Sequence, residues 1–446
     1  MNLNARSFYQ ERLERLRHQL GDGSAILAAG WPASRNFPAN RYPFRASSHF
    51  LYFVGQSIAG ALLTIGPEGA KLHVPRPTDS DRLWHGEGTD LTAIATRIGV
   101  AVGYVDQLPD VATAMTIPCM DYETNLALTR RLGRPIEKGT VHAYDEPLAS
   151  AMVKLRLCHD ELAIQEIRKA ASATADAHRV ALQHIEPGVS CQRIWALMQA
   201  EFAHQGMGAA YGPIITKAGE ILHCDALDDI LEAGDLVLLD VGAETATGWA
   251  ADVTRTWSVC GQPSHTQQAI HQLVSRAHND AINMVAPGVE YRDVHLQACL
   301  TLAQGLVDLG ILIGDPADLV ARDVHALFFP HGIGHVLGLD VHDMEDLGDR
   351  VGYAEGRHRS SRFGLGYLRL DRPLQTNMVV TIEPGFYQVP TLLTKSELSR
   401  AVRDCVHWSE LEHFSDVRGI RIEDDILVTE NGFENLTHCI QKEINI

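Results

Sequence analysis

The chain reads as a mixed α/β (α+β) protein in two parts, a front domain over residues 1–150 and a pseudo-two-fold second domain over 151–446. Three observations predict this. Near residue 150, short strand-like stretches give way to long amphipathic helical patterns. A helix–turn–helix pattern recurs one hundred positions after its first appearance. Through the second half of the chain, acidic residues stand where apolar, strand-like runs end.

The front part opens on a helical period, with Phe8 or Tyr9, Leu13, Leu16 and Leu20 on one face. The same stretch lacks the apolar core of a signal peptide. The runs SAILAAG, HFLYFVG, GALLTIG and KLHVP then read as strands between turn signals, as in a small α/β domain. Trp84 and His85 are expected in a loop. After residue 150, CHDELAIQEIRKAASATADAHRVALQHI predicts a long helix with Ile164, Ile167, Ala171, Thr174, His178 and Leu182 on one face, stopped by Pro187-Gly188.

The echo follows. Ala177-His178, Ala181-Leu182 and Pro187-Gly188-Val189 are matched by Ala277-His278, Ala281-Ile282 and Pro287-Gly288-Val289. Each copy of Pro-Gly-Val lies between two helical patterns. Two copies are too few for a solenoid and fit a duplicated unit with its site in the cleft between halves.

At 446 residues and 45% hydrophobic, the chain can build two or three cores, and a net charge of −18 argues against nucleic acid or an anionic membrane as partner. No apolar run reaches the length of a membrane span. Eight scattered cysteines without a CxxC pair fit reduced thiols, so a cytoplasmic location is expected.

Five residues carry the chemistry: Asp240 in LVLLDVGAE, Asp252 in GWAADVTRTW, His335 in FFPHGIGHVLGLDVHD, Glu383 in VVTIEPGFY and Glu423 in GIRIEDDILVT. Asp240 follows four apolar residues that predict burial, and a buried carboxylate needs a partner. Turn residues between Asp240 and Asp252 place the two acids on the arms of a hairpin. Gly332 and Gly334 exclude the continuous helix that a HExxH zinc motif needs, so His331, His335 and His342 suggest a site floor. Glu383 ends a buried strand before Pro384-Gly385. Ile420, Ile422, Ile426 and Val428 mark core-facing strands around Glu423, with Asp424 and Asp425 expected at the surface. Four carboxylates and one imidazole form an oxygen-rich set suited to two divalent ions, Mn²⁺ first and Zn²⁺ or Co²⁺ as alternatives.

In this order and context the segments resemble the proline-specific metallopeptidases of the M24 type, aminopeptidase P and prolidase, which have the creatinase or pita-bread fold. The front segments RYPFRASSHFLYFVG and DRLWHGEG likewise resemble the aminopeptidase P N-terminal domain. The resemblance implies that Asp240, Asp252, His335, Glu383 and Glu423 are the metal ligands, with Asp252 and Glu423 bridging. It implies catalytic roles for His223, His342 and Glu383, and substrate-facing roles for His331, Arg369 and Arg421, the last beside the final glutamate. Trp84 and His85 would close a neighbouring subunit's cleft in a homodimer or homotetramer; the alternative is that Trp84 packs within its own domain.

Two features depart from the pattern. The Asp240–Asp252 interval is one residue longer, and the stretch VPTLLTKSELSRAVRDCVHWSELEHF before Glu423 is of prolidase length. Arg369, in YLRLDRPL, resembles the prolidase arginine that takes a substrate carboxylate. The implied activity is hydrolysis of the bond between an N-terminal residue and a following proline in peptides, with a dipeptide-restricted prolidase as the alternative. A metal-free or creatinase-like relative would lack some of the five ligands, and all five are present.

Overall fold

The computed structural model describes residues 5–88 and 90–445, so Met1–Asn4 of the expected opening helix lie outside the described residues. The chain divides into two compact units, one of Met1–Ile164 with Ala246–Gly248 and Met344–Val351, the other of Gln165–Thr245, Trp249–Asp343 and Gly352–Ile446.

In the first unit, helix α1 (Ala5–Leu20) buries Tyr9, Leu13 and Leu16 along the expected face, together with Arg12. Arg12 is satisfied by both oxygens of Asp160 at 2.6 and 2.8 Å and by the Tyr52 carbonyl at 2.7 Å. Strand β1 (Ala25–Ala28) follows, then helix α2 (Ser48–Val54), strands β2 (Leu62–Gly66) and β3 (Gly69–Val74), helices α3 (Asp79–His85) and α4 (Leu91–Ile98), strand β4 (Ala101–Tyr104), and helices α5 (Tyr122–Leu132) and α6 (Glu146–Arg156). The sheet order is β1-β2-β3-β4, antiparallel except for the parallel β3–β4 pair, whose crossover carries α3 and α4.

Two expectations fail here. HFLYFVG is not a strand but helix α2, every residue of which is buried. A helix buried all round has no polar face, so its sequence carries no 3.6-residue period. Gly55 closes it in the left-handed conformation at φ 62°, donating its N–H to the Leu51 carbonyl. A Cβ there would lie 1.8 Å from the Tyr9 hydroxyl. Trp84 and His85 lie on α3, not in a loop; Thr78 and Asp81 form its capping box. Trp84 is 75% exposed, so it does not pack within its own domain.

The second unit is built on the repeat. Helices α7 (Glu161–Leu182) and α8 (Cys191–His204) flank the first Pro-Gly-Val; α9 (His265–Asn283) and α10 (Tyr291–Asp308) flank the second. The two turns match bond for bond. Gly188 and Gly288 have φ of 87° and 85°. Their N–H groups donate to the Leu231 and Leu374 carbonyls, and the N–H groups of those leucines return to the Val189 and Val289 carbonyls, all at 2.8 Å.

Each helix pair packs near a small sheet. Strands β5 (Gly208–Ala209), β6 (Ile214–Thr216), β7 (Leu236–Asp240), β8 (Ala243–Glu244) and β9 (Thr254–Ser258) belong to the first half. Strands β10 (Val379–Ile382), β11 (Gly385–Tyr387), β12 (Gly419–Arg421), β13 (Asp424–Thr429) and β14 (Gly432–Asn435) belong to the second. The sheets run β6-β7-β9 and β10-β13-β14, with β5-β8 and β11-β12 as two-stranded ribbons. Ala177, Ala181, Ile194, Met198 and Phe202 from α7 and α8 pack on Val237, Leu239 and Trp257 to form the core of the first half. The prolidase-length stretch folds as three short helices, Pro390–Lys395, Glu397–Ala401 and Trp408–Glu412. Among the described residues no helix is long and apolar enough to cross a membrane.

Asp424 and Asp425 are a third correction: both are fully buried, not at the surface. Asp424 takes Arg255 Nη2 at 2.6 Å and Lys442 Nζ at 2.6 Å, with Asn435 and Thr437 on its remaining lone pairs. Asp425 accepts the Asp252 backbone N–H. Because Arg255 is completely enclosed, removing Asp424 leaves its guanidinium buried without that counter-charge. Asp424→Ala is expected to cost about 3–5 kcal/mol of stability, read from the denaturant midpoint; a change under about 1 kcal/mol would show that the pair contributes little.

Candidate functional site

Each half of the repeat supplies one acid at the end of a strand and another just before its partner strand. Asp240 ends β7, and Asp252 lies two residues before β9, which pairs with β7 so that Asp240 faces Thr254. Glu383 follows β10, and Glu423 immediately precedes β13, in the register where Ile382 faces Asp424. The halves join along a seam: Glu423 N donates to Thr254 O at 3.0 Å, and Arg255 Nη1 donates to Glu423 O at 2.6 Å.

His335 comes from an irregular segment laid along β10. Glu383 N bonds Ile333 O, Thr381 N bonds His335 O, and Leu337 N bonds Val379 O, at 2.7–2.9 Å. Gly334 is required for this approach, since a Cβ there would come within 2.2 Å of the Thr381 carbonyl. The His335 Nδ1–H donates to Val336 O at 3.1 Å, which turns Nε2 inward. That nitrogen lies 3.5 Å from Asp252, 3.6 Å from Glu383 and 4.0 Å from Glu423.

Among the surrounding polar groups, Tyr211, Thr254 and Tyr387 are those that sequence reasoning missed. Tyr211 places its hydroxyl 2.6 Å from Oδ1 of both Asp240 and Asp252. Thr254 donates to Glu423 Oε2 at 2.7 Å. Arg421 directs its bonds to Asp240 (2.6 Å), Thr254 and Tyr387 rather than to its near neighbour Glu423. The Tyr387 hydroxyl meets His331 Nε2 at 2.9 Å, while His331 Nδ1–H donates to Gly332 O. Tyr211 stands before Gly-Pro and Tyr387 ends a strand, and neither setting signals a site.

All of the expected residues line one cavity of about 690 Å³. Its walls include His223, Asp240, Asp252, His331, His335, His342, Arg369, Glu383, Arg421 and Glu423, with Arg359, Phe363 and Tyr367 completing them. The His342 ring lies against that of His335, with centroids 4.1 Å apart. His223 and His342 also border a second hollow beside Tyr211 and Trp195.

The electrostatics show what this cluster lacks. Burial pushes Glu383 up to about 7, against the opposing pull of His335 and Arg421. Burial, then the charges of Asp252, Glu383 and Asp240, pushes Glu423 well above the carboxylate range. Asp240 is also raised by burial, which Arg421 only partly offsets. Asp252 alone is held low: burial is the largest single effect and raises it, but the bond to His335 and that ring's charge, with Tyr211 and His342, together pull it further down. The Tyr211 phenol has one proton for two carboxylates, so in the ion-free protein one of the pair holds a proton. Three buried acids and a half-buried Glu383, against the adjoining Arg421 and His335, leave a negative excess, and the donors are mostly hard oxygens. Both properties fit divalent cations.

Comparison with known proteins gives this architecture its class. The chain belongs to metallopeptidase family M24, whose profile matches residues 165–430, and the aminopeptidase P N-terminal domain matches residues 9–119. The protein is therefore a hydrolase of a divalent-metal family, with an aminopeptidase P-like front domain and a pita-bread catalytic domain. Among its relatives is the Xaa-Pro aminopeptidase of Escherichia coli (strain K12), 30% identical over 98% of this chain and 96% of that one. The Homo sapiens Xaa-Pro dipeptidase is 28% identical over 98% of this chain and 90% of its own. Pseudomonas aeruginosa aminopeptidase PepP superposes with a TM-score of 0.78 at 27% identity, covering 98% of this chain and 96% of that chain. Escherichia coli aminopeptidase P with the inhibitor Pro-Leu does so with 0.79 at 27% identity and the same coverage.

The raised acids predict a pH dependence. In the chelated protein, unfolded glutamates lose their protons near the ordinary value, whereas folded Glu383 and Glu423 keep theirs to higher pH. The unfolded state then binds fewer protons, so stability falls as pH rises from the ordinary glutamate range through about 7. Thermal melts with chelator are expected to show this fall, and added Mn²⁺ should abolish it. A melting temperature that rises with pH over that window in chelator would contradict the electrostatic reading.

Proposed function

We propose that this chain is a Xaa-Pro aminopeptidase, removing the first residue of peptides whose second residue is proline. The observation that carries the reading is the convergence of Asp240, Asp252, His335, Glu383 and Glu423 in one cavity of an M24 fold. Residues 1–150 form the aminopeptidase P-like N-terminal domain and 151–446 the catalytic domain in this reading.

The five residues would hold two divalent ions, with Mn²⁺ proposed first because oxygen donors dominate. When bound, the ions supply Lewis acidity at the scissile carbonyl and acidify water there. Glu383 sits where β10 breaks, its side chain 16% exposed to the cavity, and would carry a proton from the attacking water to the proline nitrogen. His223 and His342 would donate toward the developing oxyanion.

A bond before proline is a tertiary amide with no N–H, so a site that hydrogen-bonds an extended backbone loses a contact there. His331 suits the alternative of recognition by shape. Both its nitrogens are occupied, and burial, then Arg421, lowers it to about 3, so it meets substrate as a neutral ring. With Phe363 and Tyr367 it would form an apolar wall for the pyrrolidine. Arg421 would fix Asp240 and, through Tyr387, that ring.

Arg369 favours a second reading, in which it clamps the carboxylate of a dipeptide and the enzyme is a prolidase. A cytoplasmic location is proposed from the eight free thiols. A homodimer or homotetramer is proposed from the exposed Leu83 and Trp84 on α3, 76% and 75% accessible.

The test is Mn²⁺-supplemented hydrolysis of Ala-Pro and Ala-Pro-Ala, with a chelated control and Glu383→Ala. Both substrates should be cleaved, with loss in chelator and a fall of about 10²–10⁴-fold in the variant. Cleavage of the dipeptide alone would establish the prolidase reading. Failure on both substrates with metal bound would exclude proline specificity.

A further inference from the structure

Helix α10 carries His295 and Cys299 one turn apart, so both side chains emerge on one face. The short turn Val324–Leu327 brings His325 to the same point. Ligand atoms of the three residues lie within 4.8 Å of one another, and all three are buried. None of them belongs to the carboxylate cluster.

His295 Nε2 lies 3.4 Å from Cys299 Sγ, close to the separation of about 3.5 Å between N and S ligands of a tetrahedral zinc, and Nδ1 lies 3.9 Å away. In the ion-free protein the Nε2–H donates to the Gly364 carbonyl at 3.1 Å, a bond that ligation through Nε2 replaces while the ring proton moves to Nδ1. His325 is 2% exposed, and neither of its ring nitrogens has a hydrogen-bond partner among the described residues. A buried donor and acceptor left without partners are costly, so an ion or an ordered water is called for. An anionic oxygen stands nearby: a Cβ on Gly364 would lie 2.5 Å from Asp323 Oδ1 and 3.1 Å from His325 Cε1.

We propose that His295, Cys299 and His325 form a second, chemically distinct metal site that binds Zn²⁺ through two imidazoles and a thiolate. Burial lowers His295 to about 4 and His325 to about 3, so both are neutral ligands at physiological pH. Burial raises the Cys299 thiol, so binding must displace its proton to solvent as the Zn–S bond forms. The site adjoins the substrate cavity. Phe329 lies between His295 and His331, with ring centroids 5.7 and 4.8 Å away, so a bound ion would brace the wall that His331 forms.

Cobalt substitution distinguishes this site from the carboxylate cluster, which contains no thiolate. The metal-depleted full-length protein, titrated with Co²⁺, should develop a thiolate-to-cobalt charge-transfer band in the near ultraviolet. Folded Cys299→Ala and His325→Gln should lose it, while Glu423→Gln should keep it. Zinc-edge absorption of the wild-type protein, given one zinc per chain after the carboxylate cluster is filled with Mn²⁺, should report one sulfur and two imidazole nitrogens, a readout that needs no variant to fold. Cobalt bound without the band would overturn the proposal, leaving His325 to an ordered water. A band that persists in both folded variants, or a zinc shell without sulfur, would do the same.

Discussion

Mutual repulsion among buried carboxylates is the constraint around which the catalytic unit is organised. Two like charges 4 Å apart repel by about 4 kcal/mol at the effective dielectric of a protein site. Here Asp240, Asp252, Glu383 and Glu423 share one cavity, with Asp425 buried behind Asp252. Such a cluster holds its shape only if each acid is fixed by groups with few alternatives. Arg421, Tyr211 and Thr254 provide this for Asp240, Asp252 and Glu423, His335 stands against Glu383, and the seam between Thr254 and Glu423 ties the two pairs into one frame.

The internal repeat explains how one chain assembles that cluster. A single half yields two acids, one where a strand ends and one just before its antiparallel partner. Duplication places a second such pair opposite, so that Asp240 corresponds to Glu383 and Asp252 to Glu423. The same symmetry extends to the scaffold, in the matched Gly188 and Gly288 turns. The functional asymmetry comes from what is not repeated. His335 enters from an irregular strand beside β10, and Tyr211 stands only on the side of the first pair.

The sequence made legible those features that rest on local pattern or on burial of a single residue. The long helices, the repeated turn and the burial of Asp240 after four apolar residues all follow from short stretches. Helix α2 escaped because an element buried on every side has no period to read. Asp424 and Asp425 escaped because the groups that draw them into the interior include ones remote in sequence: Arg255 lies 169 residues from Asp424, and the Asp252 N–H lies 173 from Asp425. Tyr211, Thr254 and Tyr387 escaped for a related reason. A lone hydroxyl carries no sequence signal for the carboxylate or imidazole it will meet, and the fold alone brings them together.

The two donor sets also bear on which ion goes where. Stability orders place Zn²⁺ above Mn²⁺ at almost any mixed site, so affinity alone would let zinc compete for the carboxylate cluster. Hardness and ligand type supply the distinction. The cluster around His335 has four carboxylates and one imidazole, whereas the pocket on α10 has one thiol and two imidazoles. A thiolate raises the preference for zinc without helping manganese. A chain with both sets can therefore take up zinc where it braces the His331 wall and leave the oxygen-rich cluster to a harder ion. Phe329 is the shared element that makes the first site matter to the second, since it touches His295 on one side and His331 on the other.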